Sequence, residues 1–223
     1  MAATSQMRGL SNLYLFIYNS AQAIGWAVAF YRIIVGFLAT KSFNGAYASS
    51  GDLVCLLQKV AFLEVIHGAL GIVPSGVLLP LLQWGGKSHY LLAIIRNINE
   101  VQESPSIFTT FFGWCIGEFV RYSYYSLYCI GNCPCWSTFI RYTAFIPIYP
   151  SGLAGEMWLM YCALPYIKNK DLYGDLFSAL PFTYSTVVQA ILVCYPFLWL
   201  KLYMHLLKQR ESKLRARHDV KRH

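Results

Sequence analysis

Apolar residues along this chain gather into long blocks, and polar residues are confined mostly to the short intervals between them. A helix needs about 20 predominantly apolar residues to cross a hydrocarbon core about 30 Å thick. Windows of that length, bounded by charge or turn residues, run from Leu13 to Ala39, Leu53 to Val73, Gly76 to about Ile98, Ile107 to Ile130, Thr138 to Tyr166 and Phe182 to Leu207. The pattern predicts an all-α integral membrane protein, with six transmembrane helices in one bundle and residues 1–223 as a single domain. Gly85-Gly86-Lys87 interrupts the third window. Its polar centre fits a continuous span, or a re-entrant or broken helix covered by protein or a water-filled cavity.

Composition agrees with lipid as the solvent. Hydrophobic residues make up 57% of the 223 and charged residues 13%, against roughly 25% charged in soluble domains, and mean hydropathy is +0.43. The first apolar block is nearly twice as long as a signal-peptide core, so it is expected to be retained as a span. The net charge of +8 sits largely in the tail 208–223, with Lys208, Arg210, Lys213, Arg215, Arg217, Lys221 and Arg222. Cytoplasmic segments carry the excess of Lys and Arg, so this tail is expected in the cytoplasm, and six crossings return the N-terminus to the same side. Topology and anionic lipid account for the charge, and nucleic acid is not expected as a partner. Of seven cysteines, Cys129, Cys133 and Cys135 cluster in CIGNCPC. They lack the spacing and the fourth ligand of a metal site. On the cytoplasmic side they are expected to be reduced thiols, open to lipidation.

Charged groups at membrane depth cost at least about 2.5 kcal/mol each on insertion scales, which makes each one a candidate for function. Glu118 and Arg121 lie three apart in GEFVRYSYYSLY and meet on one helix face, which reads first as mutual neutralisation. Glu64 and His67 read as residues bonded between helices. Lys87, His89 and Arg96 fall in the third window. Arg141 stands eight residues before Tyr149, about 12 Å along a helix. It is positioned either to snorkel to lipid phosphate or to meet an anionic head group.

Glu156 has no basic residue three or four positions away in either direction. A carboxylic acid in lipid without a counter-charge is a candidate proton-transfer group. It closes the stretch IYPSGLAGE, in which Tyr149 is seven residues earlier. On a regular helix the two would face the same way but stand about 10 Å apart along the axis. Pro150 is expected to break the helix and bring phenol and carboxylate together, while Gly152 and Gly155 make room for a helix or an acyl chain. The alternative is a kinked packing surface with Glu156 bonded to another helix.

Three separated stretches, LEVIHGALGIVPSG, GEFVRYSYYSLY and RYTAFIPIYPSGLAGE, together resemble the very-long-chain 3-hydroxyacyl-CoA dehydratases, the protein-tyrosine-phosphatase-like membrane proteins. The resemblance implies a six-span enzyme of the endoplasmic reticulum that removes water from a 3-hydroxyacyl-CoA in the third step of fatty-acid elongation. It implies Tyr149 and Glu156 as the catalytic pair, importance for Gly152, Glu118 and Arg121, no cofactor or metal, and other elongation enzymes as partners. Dehydration needs a base for the C2 proton and an acid for the C3 hydroxyl. Glu156 as base with Tyr149 as acid is the favoured assignment, and the reverse is open. The CoA head is expected at the cytoplasmic mouth, with Arg141 or Lys87 on its phosphates and the acyl chain among the spans. The stretch from His67-Gly68 to Pro74, which stands where a phosphatase signature would, has neither its cysteine nor its arginine, so cysteine-phosphatase chemistry is excluded. Two rival readings are a non-catalytic scaffold that holds a phosphorylated partner, which needs an exposed anion site, and a transporter, disfavoured because the sequence has no inverted repeat.

Overall fold

In the computed structural model, which describes the backbone of residues 2–220 and the side chains of residues 9–212, no strand occurs among the described residues. The tail residues Lys221 and Arg222, and the side chains of Lys213, Arg215 and Arg217, lie outside the described residues.

The first window is one helix, α1 (Ala2–Thr40). The second is divided by a turn at Ala61–Phe62 into α2 (Ala46–Val60) and α3 (Leu63–Ala69). The third begins with α4 (Leu78–Ser88), which winds on without a gap into a π-helical segment, His89–Ile94, and a 3₁₀ turn, Ile95–Asn97. Gly85-Gly86-Lys87 therefore does not break the helix. The irregular pitch comes after it, and no re-entrant loop forms. After the short α5 (Asn99–Gln102), the fourth window is α6 (Pro105–Cys129). Its start is written in Ser104-Pro105-Ser106: the Ser104 hydroxyl accepts from the Ser106 N–H, and Pro105 takes the first helical position, where no backbone donor is needed.

The fifth window differs more. Thr138 to Arg141 belongs to a separate short helix, α7 (Cys135–Arg141), and the long helix α8 (Phe145–Asn169) starts only after a turn. The expected break at Pro150 is absent: α8 runs through it. Pro150 lacks the N–H that would bond the Ile146 carbonyl one turn back. The Tyr203 hydroxyl of the last helix donates to that carbonyl at 3.3 Å. A partner helix thus supplies the donor the proline lacks. The chain ends with α9 (Gly174–Phe177) and α10 (Tyr184–Val220).

Helix α6 lies between α1 and α8, and α10 packs chiefly on α8. On α1 the residues Ala23, Trp26, Ala29 and Ile33 are buried, while Ile17, Ile24, Tyr31, Val35 and Leu38 on the opposite face are exposed. A helix apolar on both faces fits a lipid surround. Two helices, Gly9–Thr40 and Tyr184–Ser212, are long and apolar enough to cross a membrane by length and composition. The other predicted spans are divided, irregular in pitch, or diluted by Glu118, Arg121, prolines and tyrosines.

Candidate functional site

Glu156 points from α8 into the seam between α6 and α10. Its Oε1 accepts from the Trp114 indole N–H of α6 at 2.8 Å, and its Oε2 accepts from the Tyr195 hydroxyl of α10. The acid is thus bonded to other helices, as the packing alternative expects, but both partners are neutral donors and no hydrogen on either side is left over for substrate. Such a carboxylate keeps lone pairs on both oxygens. Neither Trp114 nor Tyr195 stood out in the sequence, because a neutral aromatic in an apolar run carries no burial cost to flag it. One signal was present: Tyr195-Pro196 repeats the dipeptide Tyr149-Pro150.

Close contact of α6 with α8 sets this geometry. At Gly155 an added Cβ would stand 2.6 Å from Thr110 Oγ1 and 3.2 Å from the Ser106 carbonyl, so only glycine lets the two helices meet there. Trp114 is held among aromatic rings, with Tyr90 edge-on at 5.6 Å and Phe111 stacked at 6.2 Å between centroids. The Lys87 ammonium lies 4.8 Å above the indole.

Tyr149 is half-buried in an aromatic layer, edge-on to Phe145 at 5.7 Å, and Phe145 in turn meets Tyr203 at 5.9 Å. Because α8 is continuous, Tyr149 and Glu156 share a face but stay about 10 Å apart along the axis. The predicted convergence through a broken helix does not occur. What lies between them is Gly152. It is buried, yet an added Cβ would meet no atom within 4 Å. It sits about 4.5 Å along the axis from Tyr149 and about 6 Å from Glu156. The face that carries both groups is therefore open at its middle.

Four part-buried charges join in one row of alternating sign. Lys87 pairs with Glu118, and Arg121 Nε donates to Glu118 Oε2 at 2.6 Å. The same guanidinium forks onto Glu64 at 2.6 and 2.9 Å, and Glu64 also accepts from the Tyr122 hydroxyl. The Glu118–Arg121 pair thus forms as its spacing predicts, extended by a cation and an anion from α4 and α3. Glu64 and His67 are each bonded between helices, Glu64 to α6 and His67 Nε2 to the Tyr14 hydroxyl of α1 at 2.8 Å. His67 is buried against Tyr14 and Tyr18, so no exposed anion site is centred on its side chain. Lys87, a predicted phosphate partner, is instead committed to Glu118 and Trp114. Arg141 ends α7 with no carboxylate among its described contacts. It donates to the Tyr125 hydroxyl at 3.5 Å and stands 5.7 Å from the rings of Tyr125 and Tyr142.

None of the seven cysteines is in a disulfide. Among the described residues no three His, Cys, Asp or Glu side chains gather as a metal site.

The sequence model described as "Protein tyrosine phosphatase-like protein, PTPLA" matches residues 58–216. The chain is 33% identical over 211 residues to the Homo sapiens protein named very-long-chain (3R)-3-hydroxyacyl-CoA dehydratase 2, covering 92% of this chain and 82% of that protein. It is 30% identical over 208 residues to the Mus musculus protein named dehydratase 1 of the same series, covering 92% and 74%. The Oryza sativa subsp. japonica protein named dehydratase PASTICCINO 2A is 33% identical over 162 residues, 72% of this chain and 73% of that protein. No solved structure matches the chain.

Proposed function

Because this chain belongs to the protein tyrosine phosphatase-like PTPLA family, we propose that it is a hydro-lyase that dehydrates very-long-chain 3-hydroxyacyl-CoA to the trans-2-enoyl-CoA. Its site is the α8 face bearing Tyr149, Gly152 and Glu156. The observation that carries this reading is the space at buried Gly152, flanked on one helix face by a phenol and a carboxylate.

In the mechanism, the C2–C3 segment of the substrate lies beside Gly152. Glu156 takes the C2 proton, weakly acidic beside the thioester; the C2 electron pair forms the double bond, and the C3–O bond breaks as Tyr149 protonates the departing hydroxyl. One water leaves, and no oxidant or reductant is consumed. The substrate bridges the two groups, so the helix need not bend to make them touch. Glu156 lies about two helical turns further along α8 than Tyr149, which stands near the start of that helix.

The CoA head is too polar to enter and stays at the cytoplasmic mouth, where Arg141 is the candidate partner for its phosphates. The acyl chain lies among the helices. The protein works in the endoplasmic reticulum membrane with six spans and both termini in the cytoplasm, beside the other enzymes of fatty-acid elongation.

The test is direct assay of purified, detergent-solubilised protein with a long-chain 3-hydroxyacyl-CoA. Enoyl product is expected from the wild type. Tyr149→Phe and Glu156→Gln should each lower kcat by about 100-fold or more, the scale of a lost general acid or base, with membrane insertion unchanged. Near-normal turnover by Glu156→Gln would remove the assignment.

A further inference from the structure

We propose that Tyr195 and Trp114 are positioning residues of this site, forming a two-point clamp that fixes the Glu156 carboxylate plane, and that Lys87 braces the clamp rather than binding CoA phosphate. The inference rests on Glu156 acting as the base.

A glutamate's last torsion is broad, so one anchored oxygen leaves the carboxylate free to turn about that anchor. Here both oxygens are anchored, each by a different neighbouring helix: Oε1 by Trp114 on α6 and Oε2 by Tyr195 on α10. Rotation would break at least one of the two bonds. Each donor has a single hydrogen, and each spends it on Glu156. The carboxylate then meets the C2 proton in one orientation, and a geometry held within a few tenths of an ångström is where positioning contributes most to rate.

The anchors are themselves restrained. Lys87 lies over the indole at 4.8 Å and is ion-paired to Glu118, which Arg121 holds from the other side. Held in this way, the Lys87 ammonium is directed to the indole face and the Glu118 carboxylate, both inside the bundle. The row of alternating charges thus ends on the ring that holds the Glu156 carboxylate, and α10 enters the site through Tyr195.

The experiment compares kcat and KM of the full chain with a 3-hydroxyacyl-CoA and with the matching 3-hydroxyacyl-pantetheine thioester, which lacks the nucleotide phosphates. Tyr195→Phe keeps the ring and loses one hydrogen bond. Its kcat should fall about tenfold or more for both substrates, with KM little changed. Infrared difference spectra, wild type minus Glu156→Gln, isolate the Glu156 carboxylate bands; these should shift in Tyr195→Phe. Trp114→Phe gives the same test at Oε1. Unchanged kcat, or unchanged carboxylate bands, in both variants overturns the clamp. Lys87→Met should lower kcat equally with both thioesters; a rise in KM confined to the CoA ester would return Lys87 to phosphate binding. The infrared comparison needs no turnover, so a wild type inactive on these substrates would sink the dehydratase reading while the clamp was still tested.

Discussion

At Gly152 an added Cβ meets no atom within 4 Å, whereas at Gly155, three residues on, it would stand 2.6 Å from Thr110 Oγ1. Both glycines are helical, so Gly152→Ala should leave stability unchanged or raise it by about 0.5–1 kcal/mol through lost chain entropy. Gly155→Ala should lower it by about 1–3 kcal/mol, because the new methyl strikes the Thr110 hydroxyl and crowds the Ser106 carbonyl, a backbone atom of α6. Gly152→Leu should keep the fold and lose turnover, since its side chain would occupy the space assigned to substrate. Thermal unfolding in detergent, read beside activity, separates these three outcomes; a Gly152→Leu enzyme of normal kcat and KM would empty the proposed substrate position. Glu156 is legible as a candidate in the sequence because an acid in an apolar run has a cost that demands a reason, and Tyr149 enters as a candidate by sharing its helix face. The difference between the two glycines was not legible, since it depends on what α6 places opposite each.

A proline in the middle of a helix announces a missing hydrogen bond but not where the orphaned carbonyl turns. The expectation of a break at Pro150 followed the local rule. In the folded chain Tyr203 of α10 donates to the Ile146 carbonyl, and α8 stays continuous. Tyr203→Phe should therefore cost about 0.5–1.5 kcal/mol, the scale of one part-buried hydrogen bond lost. In a Pro150→Ala background the backbone N–H of residue 150 reaches Ile146, and the same substitution should cost much less. A double-mutant cycle by thermal unfolding measures that coupling; strictly additive effects would show that Tyr203 does not substitute for the missing donor. The α6 start was readable because Ser104-Pro105 carries its cap locally. The π and 3₁₀ winding after Ser88 was not, since no breaker residue occurs in His89–Asn97.

At the scale of the molecule, four charges inside the bundle cancel one another. Lys87, Glu118, Arg121 and Glu64 tie α4, α6 and α3 in a row of zero net charge, and the forked Arg121–Glu64 contact joins segments 57 residues apart. At the opposite end of the bundle Lys170 hydrogen-bonds Glu100 at 2.8 Å, which holds the Glu100 carboxyl below its usual range. Under the six-span arrangement that end is lumenal. An Asn-x-Ser/Thr acceptor inserted in the 170–183 connection should then be glycosylated in endoplasmic-reticulum membranes, while acceptors in the 130–134 loop or after Val220 should not. Modification of the C-terminal acceptor would overturn both the topology and the cytoplasmic mouth.

The sequence by itself determined the apolar segments, a composition suited to lipid, and a phenol and an acid on one helix face seven residues apart, since each follows from composition and helical period. Only the tertiary structure decided that Trp114 and Tyr195, 42 and 39 residues from Glu156, hold its two oxygens, and that Tyr203 completes the helix at Pro150. The physical reason is that a hydrogen bond between helices depends on their crossing and rotation, which neither sequence stretch encodes alone.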